Sequence, residues 1–172
     1  DSTWTNTGEL NIGTHGGGTL DVTGGGAVSS ATGYIGRHAF LTPSNGTVTV
    51  TGAGSSWTNL NGLHVGDSGT GVLTIANGGA VSNTYSYIGH AGGSNGTVSV
   101  TGSTSTWTNS NSLTVGYDGT GTLNITNGGK VSNAHDGYIG LYSGTGTVTV
   151  AGSTWTNMSG LKVGYDGTGT LT

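Results

Sequence analysis

The side chains with the widest chemical reach share one recurring position. His15, His38, Asp67, His90, Asp118 and Asp166 each follow shortly after an apolar-Gly pair. If copies of that position stack, His38, Asp67 and His90 fall within a few ångströms of one another. Imidazole with carboxylate is a donor set that suits a transition metal. The sequence shows no outer partners to orient such ligands, and exposed turns collect polar residues, so no resident metal and no cofactor is expected. Asp118 and Asp166 fall two copies apart, roughly 9.6 Å at strand spacing, near the upper separation of an inverting carboxylate pair. Nothing beside them in the sequence would raise one pKa, and no Lys or Arg accompanies them. There is no G-x-S-x-G nucleophile turn. GTGTL and NGG have the glycines of a phosphate loop but lack its Lys and following helix. No catalytic residues, and no enzyme, are expected.

These positions recur because the chain repeats. STWTN or SSWTN stands at the start of four units, with tryptophans at 4, 57, 107 and 155. The units run 2–54, 55–104 and 105–152, with a partial copy at 153–172, and form one domain. Such a period is the signature of a repeat architecture. Each unit is itself double. The pairs Ile12-Gly13, Ile35-Gly36, Val65-Gly66, Ile88-Gly89, Val115-Gly116, Ile139-Gly140 and Val163-Gly164 recur about every two dozen residues, so the module is one short coil.

Composition narrows the class. Of 172 residues 38 are Gly, 6% are charged and one is Pro; Cys is absent and the formal net charge is −4. Disorder goes with high net charge and abundant Pro, and this chain has neither. Three Lys and Arg in all leave no basic patch for phosphates, so nucleic acid is excluded as a partner. No apolar run reaches membrane-spanning length. The chain opens and closes partway through a repeat, so a longer array is expected.

Each coil holds three short alternating runs, a strand signature. The first points inward with Leu10/Ile12, Gly33/Ile35, Leu63/Val65, Ser86/Ile88, Leu113/Val115, Gly137/Ile139 and Leu161/Val163. The second offers Leu20/Val22, Val48/Val50, Leu73/Ile75, Val98/Val100, Leu123/Ile125, Val148/Val150 and Leu171. The third offers Trp4, Val28, Trp57, Val81, Trp107, Val131 and Trp155. Turns this short leave no room for crossover helices. The solution is an all-β parallel β-helix of three strands per coil and six to seven coils, in which like strands stack.

Three features fit that register. A Trp in the third run accompanies Gly33, Ser86 or Gly137 in the first, a large side chain offset by a small one. Asn6, Asn59, Asn83, Asn109, Asn133 and Asn157 share a column that only Ser30 leaves, predicting an amide ladder along the axis. The Gly closing each first run is present in all seven coils, predicting φ > 0 or a close backbone approach. The longest turn, Arg37 to Gly46 (RHAFLTPSNG), holds the only Arg, Phe and Pro. A protruding loop is a natural binding element, but a tolerated insertion is the preferred explanation.

The string STWTN…LxVGxxGTGTLTIxNGGxVSN…YIG…NGTVTVTG resembles the repeat of bacterial type V secretion (autotransporter-like) passengers and PEP-CTERM-associated exported proteins. The resemblance spans essentially the whole chain. It implies a right-handed parallel β-helix, exported to the cell surface or matrix, in adhesin-like or filamentous proteins. It carries no catalytic residues. No signal sequence, translocating barrel or sorting tail is present in these 172 residues.

The expected function is therefore that of an exported stalk or adhesive surface, secreted or displayed outside the outer membrane. Its partners would be glycans or surface proteins of a host or neighbouring cell. Tyr34, Tyr87 and Tyr138 follow the small inward residues and point out, forming the aromatic row expected to contact glycans. End-to-end or lateral self-association is expected from unpaired strand edges. Two alternatives stand beside this reading. The outward second-run residues Thr19/Asp21, Thr47/Thr49, Val72/Thr74, Thr97/Ser99, Thr122/Asn124, Thr147/Thr149 and Thr170/Thr172 could match an ice or crystal lattice, although Thr is also a good exposed strand residue. A polysaccharide-processing β-helix is the other.

Overall fold

The structure is a computed structural model that describes residues 2–37 and 44–172. Among the described residues there are 21 strands and no helix. The strands form three seven-stranded sheets, and in each the neighbours are three strands apart in sequence. The chain thus visits wall A, wall B and wall C in turn and repeats the circuit seven times. Wall A runs from Thr3–Thr5 to Thr154–Asn157, wall B from Glu9–Ile12 to Leu161–Val163, and wall C from Gly17–Val22 to Thr168–Leu171. Every pairing is parallel, as in Trp57 with Val28 and Val81 or Leu63 with Gly33 and Ser86. This is the parallel β-helix expected from the periodicity.

The core is the inside of the tube. Ile35, Trp57, Leu63, Leu73, Ile88, Trp107, Leu123 and Ile139 have no exposed surface. Apolar side chains on alternate positions must all point to the axis, because a one-residue slip would turn them out. Where wall A inserts Trp57, wall B makes room: a Cβ on Gly33 would meet Trp57 Cζ2 at 2.6 Å. A Cβ on Gly137 would meet Trp155 Cζ2 at 2.9 Å. At the ends the packing opens, and Trp4 is 49% exposed.

The recurring turn after wall B is set by geometry. Gly13, Gly36, Gly66, Gly89, Gly116, Gly140 and Gly164 all have φ between 65° and 75°. In the first six, a Cβ would also overlap the backbone carbonyl of the residue opening the wall C strand one coil on, as Gly66 would with Asn95. Both the left-handed backbone and the close approach exclude other residues.

The asparagine column is real but interrupted. Asn83 Nδ2 donates to Asn109 Oδ1 at 2.6 Å, and Asn109 Nδ2 donates to Asn133 Oδ1 at 3.1 Å. Trp107 Nε1 donates to Asn83 Oδ1 at 2.9 Å, and Trp57 Nε1 to Ser30 Oγ at 3.3 Å. The column therefore also satisfies the buried indoles. The Asn133 amide fits two orientations: one continues the ladder to Asn157 at 2.6 Å, and the other accepts Trp155 Nε1 at 3.2 Å. Asn59 accepts from Ser30 Oγ at 2.6 Å, while its buried Nδ2 has no hydrogen-bond partner. Asn6 does not join the ladder. Its amide closes a local turn, donating to the Glu9 carbonyl and accepting from Gly8 N.

Candidate functional site: an aromatic and histidine flank on wall B

The outward positions of wall B stack as Asn11, Tyr34, His64, Tyr87, Thr114, Tyr138 and Lys162. Tyr34, Tyr87 and Tyr138 point outward as expected and are half-buried. They do not touch as a row of three, because His64 separates the first two and Thr114 the last two. The alternation of long and short side chains has a consequence. His64 and Thr114 face out of the sheet, yet only 7% and 3% of their surfaces are exposed. The longer neighbours lean over them.

A continuous band of rings results. Tyr34 lies 4.7 Å from His64, His64 5.2 Å from Tyr87, and Tyr87 4.7 Å from His90, between ring centroids. The band continues from His90 to Tyr117 at 5.1 Å and from Tyr117 to Tyr142 at 4.8 Å. Tyr85 packs against Tyr87 and His64. The Arg37 guanidinium caps the upper end, 4.0 Å above the Tyr34 ring. These separations are those of tilted and edge-to-face aromatic pairs. Tyr142 holds its place with φ of +51°, a left-handed conformation uncommon for a bulky residue. A second, smaller group joins Tyr138, Tyr165 and Lys162, whose Nζ sits 4.6 Å over Tyr138. Burial pushes the phenols of Tyr34, Tyr87 and Tyr117 up from their ordinary value, so these three rings stay uncharged at neutral pH.

Charge enters the band at one point. Asp67 Oδ1 lies 2.9 Å from His64 Nδ1 and 3.0 Å from His90 Nδ1. Asp67 Oδ2 lies 4.0 Å from Arg37 Nε, and Arg37 also binds Glu9 Oε2 at 2.6 Å. Burial pushes the Asp67 carboxyl up, but the two imidazoles beside it more than offset this and hold it well below the usual carboxylate range.

Of the six ionisable turn residues singled out in the sequence, the structure brings Asp67 and His90 together. His38 lies outside the described residues. Asp118 Oδ1 instead accepts from Ser143 Oγ at 2.9 Å, one coil on, and Asp166 is exposed; no hydrogen bond connects the two carboxylates. His64 takes a place beside Asp67 and His90 that turn positions alone did not predict. It belongs to a strand, and the signal was available: its register between Tyr34 and Tyr87 places it outward, three residues before Asp67. Tyr85, Tyr117 and Tyr142 were likewise missed as members of the band.

On wall C the outward residues Thr47, Val72, Thr97, Thr122, Thr147 and Thr170 stack in register. A second row runs Asp21, Thr49, Thr74, Ser99, Asn124 and Thr149. No helix among the described residues is long and apolar enough to cross a membrane. No family model, curated protein or solved structure matches this chain.

Proposed function

We propose that this chain is a non-catalytic adhesive segment of an exported bacterial β-helix protein, of the autotransporter or PEP-CTERM-associated kind that its repeat resembles. The stacked coils act as a stiff rod held outside the cell. The aromatic flank of wall B is its contact surface, and the partner is a glycan. The observation that carries this reading is the unbroken series of ring contacts from Tyr34 to Tyr142, on outward-facing side chains that run from buried His64 to exposed Tyr142 and that the core does not require. Rings held edge to edge lose little freedom on binding, and phenols supply hydrogen bonds at the rim of an apolar face.

A glycan array probed with the chain and with a Tyr34→Ala/Tyr87→Ala variant tests the proposal. The expected result is selective retention on a glycan class, weakened at least about tenfold in the variant, with far-UV circular dichroism unchanged. Absence of retention, or equal retention by the variant, contradicts it. Retention only by surface proteins would replace the glycan with a protein partner.

A second reading is supported by the in-register Thr rows of wall C, which present hydroxyls and methyls at strand spacing to an ice or mineral lattice. Thermal hysteresis in the purified chain is its test. Asp21, Val72 and Asn124 interrupt the rows, and this favours the aromatic flank.

A further inference from the structure

His64, Asp67 and His90 bring three ligand atoms to within 4.8 Å of one another. Two imidazoles and one carboxylate are a donor set for zinc and its first-row neighbours, whereas calcium and magnesium take oxygen ligands. His64 is 7% exposed, and its Nδ1 has no hydrogen-bond partner. Asp67 Oδ1 is only 2.9 Å from that nitrogen, but the approach lacks hydrogen-bond alignment. His90 Nδ1 does share a hydrogen bond with the same oxygen, at 3.0 Å. A buried ring nitrogen left unsatisfied beside a carboxylate is an expensive arrangement. An ion seated between the three groups resolves it.

Two of the three donor separations are close to those around a tetrahedral ion. Two donors each about 2.0–2.1 Å from zinc lie about 3.3–3.4 Å apart. The imidazoles therefore need to withdraw from Asp67 Oδ1 by only a few tenths of an ångström. The His64 and His90 rings are nearly perpendicular, at 82° with centroids 5.0 Å apart, so both can aim a nitrogen at one point. Outer partners are in place. Arg37 Nε faces Asp67 Oδ2, leaving Oδ1 to the histidines, and Glu9 neutralises Arg37. Two carboxylates, Asp67 and Glu9, stand against the one guanidinium of Arg37, a balance that favours a cation. Tyr34, Tyr85 and Tyr87 wall His64 from solvent, while the half-buried His90 keeps part of its ring open to solvent.

We propose that His64 Nδ1, Asp67 Oδ1 and His90 Nδ1 bind one zinc-class divalent ion. Because His64 and Asp67 belong to one coil and His90 to the next, the ion clips two successive coils together within the aromatic band. The inference goes beyond adhesion and does not depend on it.

The experiment uses the 172-residue chain, freed of metal with a chelator and titrated with Co²⁺ and then Zn²⁺. The expected result is one Co²⁺ per chain, with the intense visible ligand-field bands of a four-coordinate site that Zn²⁺ bleaches. Melting temperature should rise with Zn²⁺ concentration. Asp67→Asn and His90→Ala should each weaken binding by on the order of a hundredfold, since even outer-shell changes weaken sites 10–100-fold. His15→Ala and His135→Ala should leave binding unchanged. Asp67→Asn preserves shape, so its fold serves as the control should His90→Ala lose its circular dichroism spectrum. No saturable binding at one ion per chain overturns the proposal. So does binding that persists in both Asp67→Asn and His90→Ala, or that depends on His15 or His135.

Discussion

Gly33 and Trp57 are two halves of one packing solution: a Cβ on the glycine would lie 2.6 Å from Cζ2 of a tryptophan that has no exposed surface. Neighbouring coils solve the same problem in reverse, with Leu63 followed by Val81 and Leu113 by Val131. The volume inside each winding is thus conserved while its distribution between walls A and B alternates.

That relationship predicts a coupled pair. Gly33→Leu alone should destabilise by about 1–3 kcal/mol through overpacking, and Trp57→Val alone by roughly 3 kcal/mol through the cavity it leaves. The double variant converts the coil to its neighbours' type. Urea unfolding should show it more stable than the sum of the singles by about 1 kcal/mol or more. Additive losses would mean that the two sites relax independently.

The glycine turn after wall B makes a sharper demand. Gly66 has φ of +67° and faces the Asn95 carbonyl, so Gly66→Ala should cost about 2 kcal/mol or more. At Gly16 a Cβ would have open space around it, and Gly16→Ala should stay within about 0.5 kcal/mol of the parent. Thermal melts of the two variants check the contrast; similar losses at both sites would count against it.

Asn109 sits mid-column with three side-chain hydrogen bonds. It accepts from Asn83 Nδ2 and Ser86 Oγ and donates to Asn133, with 1% of its surface exposed. Asn109→Ala strands buried partners and should cost about 1–3 kcal/mol. Asn6→Ala, which breaks only a local turn, should cost less. Equal losses in chemical denaturation would show that the ladder adds nothing to an ordinary turn.

Asp136 and Lys162 form a half-buried pair beside Tyr138. Hydrogen bonds from Lys162 and then Tyr138 hold the Asp136 carboxyl below its ordinary value, and the bond to Asp136 holds the Lys162 ammonium above its own. A depressed carboxyl stabilises the fold above its unfolded pKa, about 3.9, and loses that contribution as pH falls through the folded value. A raised ammonium contributes below about 10.4 and loses it as pH rises through the folded value. The pair therefore acts between those limits. Carboxyl carbon NMR should find Asp136 titrating low and returning toward the ordinary range in Lys162→Met. An unshifted titration in the variant would show that the lysine is not the cause.

The two terminal windings leave one strand edge unpaired on every wall, and Trp4, Leu161, Val163 and Leu171 are 40–49% exposed there. The 172-residue chain should therefore associate end to end. Light scattering should give a mass that rises with concentration, less steeply in Val163→Lys. A constant monomer mass across the series is the opposite result.

Most of the fold could be read from periodicity, because a solenoid turns repetition directly into contact. Trp57 over Val81 and Leu63 over Ser86 followed from aligning the repeats and nothing else. Chemistry was harder to read for the same reason. A stack places outward neighbours side by side, so the ring partner of Tyr34 lies on the next coil. His64 occupies one of these outward strand positions, and the register puts it between Tyr34 and Tyr87. The buried state of His64 and Thr114 was not legible either, since period-2 alternation assigns a face and says nothing of how far neighbouring rings lean. Asn59 and Asn6 show the limit for the amide column: identical residues in identical positions do not guarantee the rotamers that complete a ladder.

The central claim, that the wall B flank is the working surface, is tested most directly by locating a bound glycan. Methyl and aromatic NMR spectra of the chain, titrated with the oligosaccharide class that the array retains, will do so. The account predicts shifts concentrated on the rings of Tyr34, His64, Tyr87, His90, Tyr117 and Tyr142, with the Thr methyls of wall C unmoved. Shifts on the Thr47 to Thr170 row with silent aromatic signals would contradict it.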